Sequence, residues 1–192
     1  MVLAAGKPIK VYGTGCGEGI IHFAGQSRKI SSVDDSWCVE FEPMDYSGPH
    51  TMQLVSEQDT ITLTDIYIGE VFLMAGQSNM QFKLCDSTTP KEKYKGDDRI
   101  RFFSTKNIED SDVFKPWDGW QICVLDGVEN WSALGYLTAI EYLKHQNVHI
   151  GIITCYQGGS IIESWVPEQA FEKAGIPYKL LEKHPDARES GF

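Results

Sequence analysis

The feature that most constrains the fold is the run from Ile66 to Ala75, apolar almost without interruption. Such a strand has no polar face to turn to water, so both faces must be covered, as in a parallel sheet. Gly76-Gln77-Ser78-Asn79-Met80 follows at once and predicts a strand-to-helix turn. Further on, Ser132 to Lys144 has helical spacing, with Ala133, Leu137, Ile140 and Leu143 or Lys144 on one face and Ser132 as the N-cap. Val148 to Cys155 reads as a second buried strand, and Pro167 opens a helix to about Lys173. Strand, helix, strand, helix is the signature of an α/β protein.

The chain before this run has another texture. Short β-rich runs, Ile9 to Tyr12, Gly19 to Phe23, Trp37 to Phe41, Thr51 to Leu54 and Thr60 to Leu63, are separated by the turn-forming clusters GTGCGEG, SSVDDS and DYSGPH. They predict a small antiparallel β-domain over residues 1–67, followed by the α/β part over 68–192. Residues 86–118 are polar, charged and proline-containing, with one short strand at Ile100 to Phe103, and read as a long surface excursion.

Charge removes one class of partner. The 17 Lys and Arg against 27 Asp and Glu leave a net charge of −10, whereas nucleic-acid binding needs a basic surface to release phosphate counterions. An anionic sugar would have to be met by a local cationic pocket. The cysteines at 16, 38, 85, 123 and 155 are odd in number and have no close pair. That fits neither a zinc site nor a disulfide framework, and predicts scattered buried thiols in a reducing compartment, with no metal and no cofactor. No run approaches the ~18 apolar residues of a membrane span, and the N-terminus lacks a basic-then-apolar signal pattern. The expectation is a cytoplasmic chain without a membrane partner.

Ser78 follows the carboxyl end of the buried strand, where open α/β sheets place their ligands. Its hydroxyl there can point into a cleft, and N–H groups at the helix start can hold a developing oxyanion. Position alone fits a plain helix cap better, since a Ser at a helix N-terminus is more often a cap.

The wording of the segment adds to this. GEVFLMAGQSNM resembles the first block of the SGNH-type esterases, in the branch holding sialate O-acetylesterases and plant and microbial carbohydrate acetylesterases. WSALGY at Trp131 to Tyr136, VHIGIITCYQGGSIIESW and the opening MVLAAGKPIKVYGTG are similar to further blocks of that family, in the right order over roughly residues 1–170. The resemblance implies a three-layer, flavodoxin-like parallel sheet, incomplete here, behind a small antiparallel β-domain. It implies a carbohydrate O-acetylesterase acting on acetylated sugars, sialic acid or another glycan, through an acetyl-enzyme. Ser78 then matches the nucleophile, whose own N–H enters the oxyanion hole. Gly158 and Gly159 match the glycines that supply a second oxyanion donor, although a simple strand-end turn also accounts for them. Gln77 and Asn79 would orient the nucleophile turn, with a helix cap an equal reading for Asn79. Glu163 and Trp165 would line the pocket rim, Trp165 stacking on a sugar face, or else form a buried structural pair.

A serine nucleophile needs an imidazole to take its proton and an acid to hold that imidazole. In the family both come from an Asp-x-x-His block near the C-terminus, preceded by a Gln-Gly-Glu block, and neither block is present. His145 and His149 flank the helix-to-strand turn and read as structural, and His184, followed by Asp186, lies in a polar tail. The resemblance therefore implies that residues at both ends are missing, that a lost signal peptide is compatible with the start, and that residues 1–192 alone are inactive. The C-terminal part as a separate chain is then an expected partner. An alternative is a non-catalytic sugar-binding or interaction module that kept the esterase scaffold. A flavodoxin-like nucleotide binder is disfavoured, since GTGCGEG has no following helix to form a phosphate loop.

Overall fold

A computed structural model of the protein describes residues 1–15, 17–57, 59–105 and 119–175. In chain order the elements are β1 (Val2–Ala4), β2 (Ile9–Thr14), β3 (Glu18–Phe23), β4 (Gln26–Ser31), β5 (Ser36–Phe41), β6 (Ser47–Ser56), β7 (Thr60–Gly76), α1 (Ser78–Gln81), β8 (Asp97–Ser104), β9 (Gln121–Cys123), α2 (Ala133–Tyr142), β10 (Ile150–Tyr156) and α3 (Glu168–Ala174). Eight strands form one sheet in the order β4-β3-β6-β7-β10-β8-β9, with β1 also paired to β7, while β2 and β5 form a separate antiparallel pair.

β7 is the spine of the molecule. Its first part pairs antiparallel with β6 and its second part parallel with β1 and β10. The predicted strands Thr60 to Leu63 and Ile66 to Ala75 are therefore a single strand, which runs on through residue 67. A register shift opposite His50 and Met52, with Asp65 at φ 57°, marks a β-bulge where the sequence suggested a break. A bulge takes up an extra residue and bends the strand without ending it.

β10 lies between β7 and β8, parallel to both, with Ile150 beside Glu70 and Ile100, and Tyr156 beside Gly76. Gly69 makes this pairing possible, because a Cβ there would come 2.1 Å from the His149 carbonyl oxygen. The predicted buried strand is thus present, starting at Ile150.

β4 escaped the sequence reading because Gln-Ser-Arg-Lys-Ile-Ser carries a single large apolar side chain, Ile30. Its hairpin with β3 turns through Ala24 and Gly25, both at positive φ, as a two-residue turn requires. Alanine is a poor signal for that conformation. The short β9 was likewise not anticipated.

α2 packs on one face of the β7–β10–β8 segment. Ser132, fully buried, caps it by accepting the Gly135 N–H at 3.3 Å. The buried stripe is Ala133, Tyr136 and Ala139, while Leu134 and Leu137 are exposed. Leu137 was expected inside. The stripe turns because small residues let the helix approach the sheet: a Cβ on Gly135 would lie 3.1 Å from Ile152 and 3.3 Å from Met74.

The supposed surface excursion is anchored at its start. Tyr94 is buried and donates to the Leu84 carbonyl at 2.9 Å, and the Tyr136 hydroxyl both donates to Lys95 O and accepts from Lys95 N. A few well-placed aromatics secure a segment whose average composition is polar.

Two clusters of buried residues result. One gathers Leu84, Ile100, Phe102, Trp131, Tyr136, Ile150 and Ile152 between α2 and the sheet. The other gathers Ile9, Ile21, Phe23, Ile30, Phe41, Met52, Ile66 and Ile68 in the β-rich part. Each large side chain so buried contributes roughly 1.5–3 kcal/mol. The thiols differ from expectation, since Cys38 and Cys85 are exposed while Cys123 is buried. Cys16, His184 and Asp186 lie outside the described residues.

Candidate active site

Parallel pairing of β7 with β10 brings their carboxyl ends together, although the segments are about 80 residues apart in the sequence. Gly76, at φ 145°, ends β7 in a conformation that favours glycine. The chain enters α1 directly, with Gln77 at the N-cap position and Ser78 as first helical residue. Gln77 makes no side-chain cap bond. Its carbonyl instead accepts the N–H groups of Met80 and Gln81, at 3.0 and 3.1 Å. The N–H groups of Ser78 and Asn79, as orphans of a helix start, take no backbone acceptor among the described residues.

Ser78, Gln77 and Asn79 are all exposed. Neither Ser78 nor Asn79 makes a side-chain hydrogen bond to a described residue, so Asn79 is not a cap in this structure. The Ser78 hydroxyl is therefore presented at the mouth of the sheet.

Opposite lies the turn that ends β10. The Gln157 N–H donates to the Gly76 carbonyl at 3.0 Å, which prolongs the strand pairing into the turn. Gly158 comes close to the Ser78 turn: a Cβ built on it would sit 3.9 Å from the Ser78 Cα and 2.7 Å from Gln81 Oε1. The Gly158 N–H donates to that same oxygen at 2.9 Å. Gly159, exposed and at φ 79°, has open space around it. The side-chain amide of Gln77 donates to the Ser160 carbonyl, a second link between the turns.

Trp165 belongs to a 3-10 turn, Ile162–Trp165, and its indole N–H donates to Ser160 Oγ at 2.9 Å. Ser160 Oγ donates in turn to the Gln157 carbonyl at 2.8 Å. Glu163 is half-buried on the same turn. The structure thus brings Gln77, Ser78, Gly158, Gly159 and, through Ser160, Trp165 into one locale. Two participants went unnoticed in the sequence, Gln81 and Ser160. Gln81 had a signal, since it lies three residues after Ser78 and so on the same helix face. Nearby, burial holds the Tyr156 phenol above its ordinary pKa, so it stays neutral and protonated near pH 7.

None of the four described histidines is near this locale. His149 precedes Ile150 at the start of β10, roughly 20 Å along the strand from Tyr156, and His145 lies beyond it, just past α2. His50 pairs with Ile66, roughly 30 Å along β7 from Gly76. His22 is bonded to Ser27 and pairs with Gln53, further still. A serine hydroxyl and a glycine turn lie together here, and no described histidine is beside them.

The family model for carbohydrate esterases described as sialic acid-specific acetylesterase matches residues 68–181. Sialate O-acetylesterase of Rattus norvegicus is 27% identical over 180 aligned residues, covering 78% of this chain and 31% of that protein. The protein of the same name in Homo sapiens is 25% identical over 170, covering 78% and 32%. The chain therefore spans about a third of the length of these curated relatives. Among solved structures, a carbohydrate acetylesterase from Xanthomonas citri superposes with a TM-score of 0.78 at 23% identity, covering 88% of this chain and 41% of that one. At that identity the likeness is one of fold: an α/β sheet of the SGNH type preceded by antiparallel strands.

Proposed function

The chain belongs to the sialic acid-specific acetylesterase family of carbohydrate esterases, and on that footing we propose that it carries the nucleophile half of an enzyme removing O-acetyl groups from sugars. The observation that carries this reading is the tethering of the Ser78 turn to the Gly158–Gly159 turn. It brings the serine turn beside a turn carrying backbone N–H donors, which supports a site for acyl transfer.

In the mechanism, Ser78 Oγ attacks the acetyl carbonyl carbon and gives up its proton to a base. The carbonyl π electrons move to oxygen, where the Ser78 N–H and a glycine N–H of the opposite turn stabilise the charge. Collapse of this intermediate breaks the ester bond, and the sugar oxygen leaves with the proton. Water then attacks the acetyl-enzyme by the same path and releases acetate. The imidazole and the acid that orients it come from outside the described residues. Sialate O-acetyl esters are the favoured substrate, as the names of the relatives suggest.

The distance of every described histidine from Ser78 favours one second reading, a sugar-binding module that kept the scaffold without the chemistry. Acetate release by the complete enzyme distinguishes the two. An O-acetylated sialic acid should be turned over with kcat/KM at least about tenfold above that for acetylated xylan. A preference for xylan would remove the sialate assignment, and no release from either would favour the binding module.

A further inference from the structure

Four backbone N–H groups line the turn that faces Ser78, and three of them are taken. Gln157 donates to Gly76 O at 3.0 Å, Gly158 to Gln81 Oε1 at 2.9 Å, and Ser160 to Gln157 O at 3.3 Å. Gly159 N–H has no hydrogen bond to a described residue. The two glycines thus serve different ends. Gly158 leaves room for the Gln81 carboxamide, which a Cβ would displace, and Gly159 adopts a left-handed φ of 79° with nothing crowding it.

We infer that Gln81 is a positioning residue of the esterase reaction, holding Gly158 N–H so that Gly159 is the amide presented to the substrate carbonyl. The inference rests on the esterase reading above and deepens it. An N–H already aimed at an acceptor 2.9 Å away gives little to a second one, because hydrogen bonds weaken steeply off their axis. Gln81 shares its helix face with Ser78, so its side chain reaches across from the nucleophile turn to the glycine turn. With the Gln77-to-Ser160 bond it fixes the residues on either side of Gly159. The reacting carbonyl thereby meets Ser78 and Gly159 at a set separation, and misplacement of that order costs rate, not binding.

The test compares Gln81→Met, which keeps the length and loses the strong acceptor, with Gln81→Glu, which keeps an acceptor. Amide exchange is measured on the 192-residue chain and acetyl-ester turnover on the complete enzyme. Gly158 should be protected in wild type and Gln81→Glu, and should exchange about tenfold faster in Gln81→Met, as one lost hydrogen bond implies. Gly159 should exchange freely in all three. Gln81→Met should lower kcat by roughly 10- to 100-fold with KM within about twofold, and Gln81→Glu should restore most of it. Rapid Gly158 exchange in wild type, or a wild-type kcat in Gln81→Met, overturns the inference. Failure of the underlying esterase reading has its own mark: acetyl turnover that survives Ser78→Ala.

Discussion

His149 illustrates how one side chain ties sheet packing to pH. Its ring stacks on Tyr67, with centroids 3.5 Å apart, and Arg101 lies over the other partner of that stack. Burial, then the nearby Arg101, hold the imidazole below its ordinary pKa, with Arg99 acting in the same sense and Asp98 and Asp65 opposing. The unfolded chain therefore takes up a proton near pH 6.5 that the folded chain refuses. Stability is full above that pH and declines as the pH falls through it toward the folded value. The slope is at most about 1.4 kcal/mol per pH unit for one proton. Urea unfolding between pH 8 and 5 should show this decline, and His149→Gln should flatten it. An unchanged slope in the variant would contradict the assignment. At this scale the sequence was partly legible. Gln77, Ser78 and the two glycines stood out in their motifs, whereas Ser160 matters only because its hydroxyl meets Trp165 and its carbonyl meets Gln77. The Gln77 contact spans 83 residues and leaves no local pattern to read.

Among the elements, β7 shows what period and composition reveal and what they conceal. Its apolar second half announced a strand covered on both faces, yet among the described residues Leu73 and Ala75 are exposed and only the face carrying Ile66, Ile68 and Met74 is buried. Nothing in Thr64-Asp65 distinguished a bulge from a turn. The α2 helix was legible in extent and in its cap but not in its face, because the small residues that set the approach carry little hydrophobic signal. Two substitutions test these packing arguments. Gly69→Ala forces a Cβ against the His149 carbonyl between β7 and β10, where backbone cannot yield cheaply. It should cost about 3 kcal/mol or more, measured by denaturant unfolding. Ser132→Ala removes the α2 cap and should cost about 1 kcal/mol in the same assay. A neutral Gly69→Ala would show that the strands are not in this register.

At the scale of the whole molecule, one sheet carries both the β-rich part and the esterase-type part, and β7 belongs to both. Cutting after Tyr67 divides that strand, removes Ile68 from its buried cluster and strips β1 of most of its partner. Residues 1–67 expressed alone should show no cooperative melt, and a sharp transition would contradict this. The same sheet sets the described histidines roughly 20 Å or more from Ser78, measured along its strands. Attack by Ser78 is the central claim, and the direct measurement is acetate release by the complete enzyme with Ser78 and with Ser78→Ala. Ser78 is exposed and makes no side-chain bond to a described residue, so the unfolding free energy should change by no more than about 0.5 kcal/mol. The rate should fall by several orders of magnitude, as for nucleophiles that act as a unit with their base. A variant that keeps more than about a tenth of the wild-type rate would show that the acetyl group is transferred without Ser78.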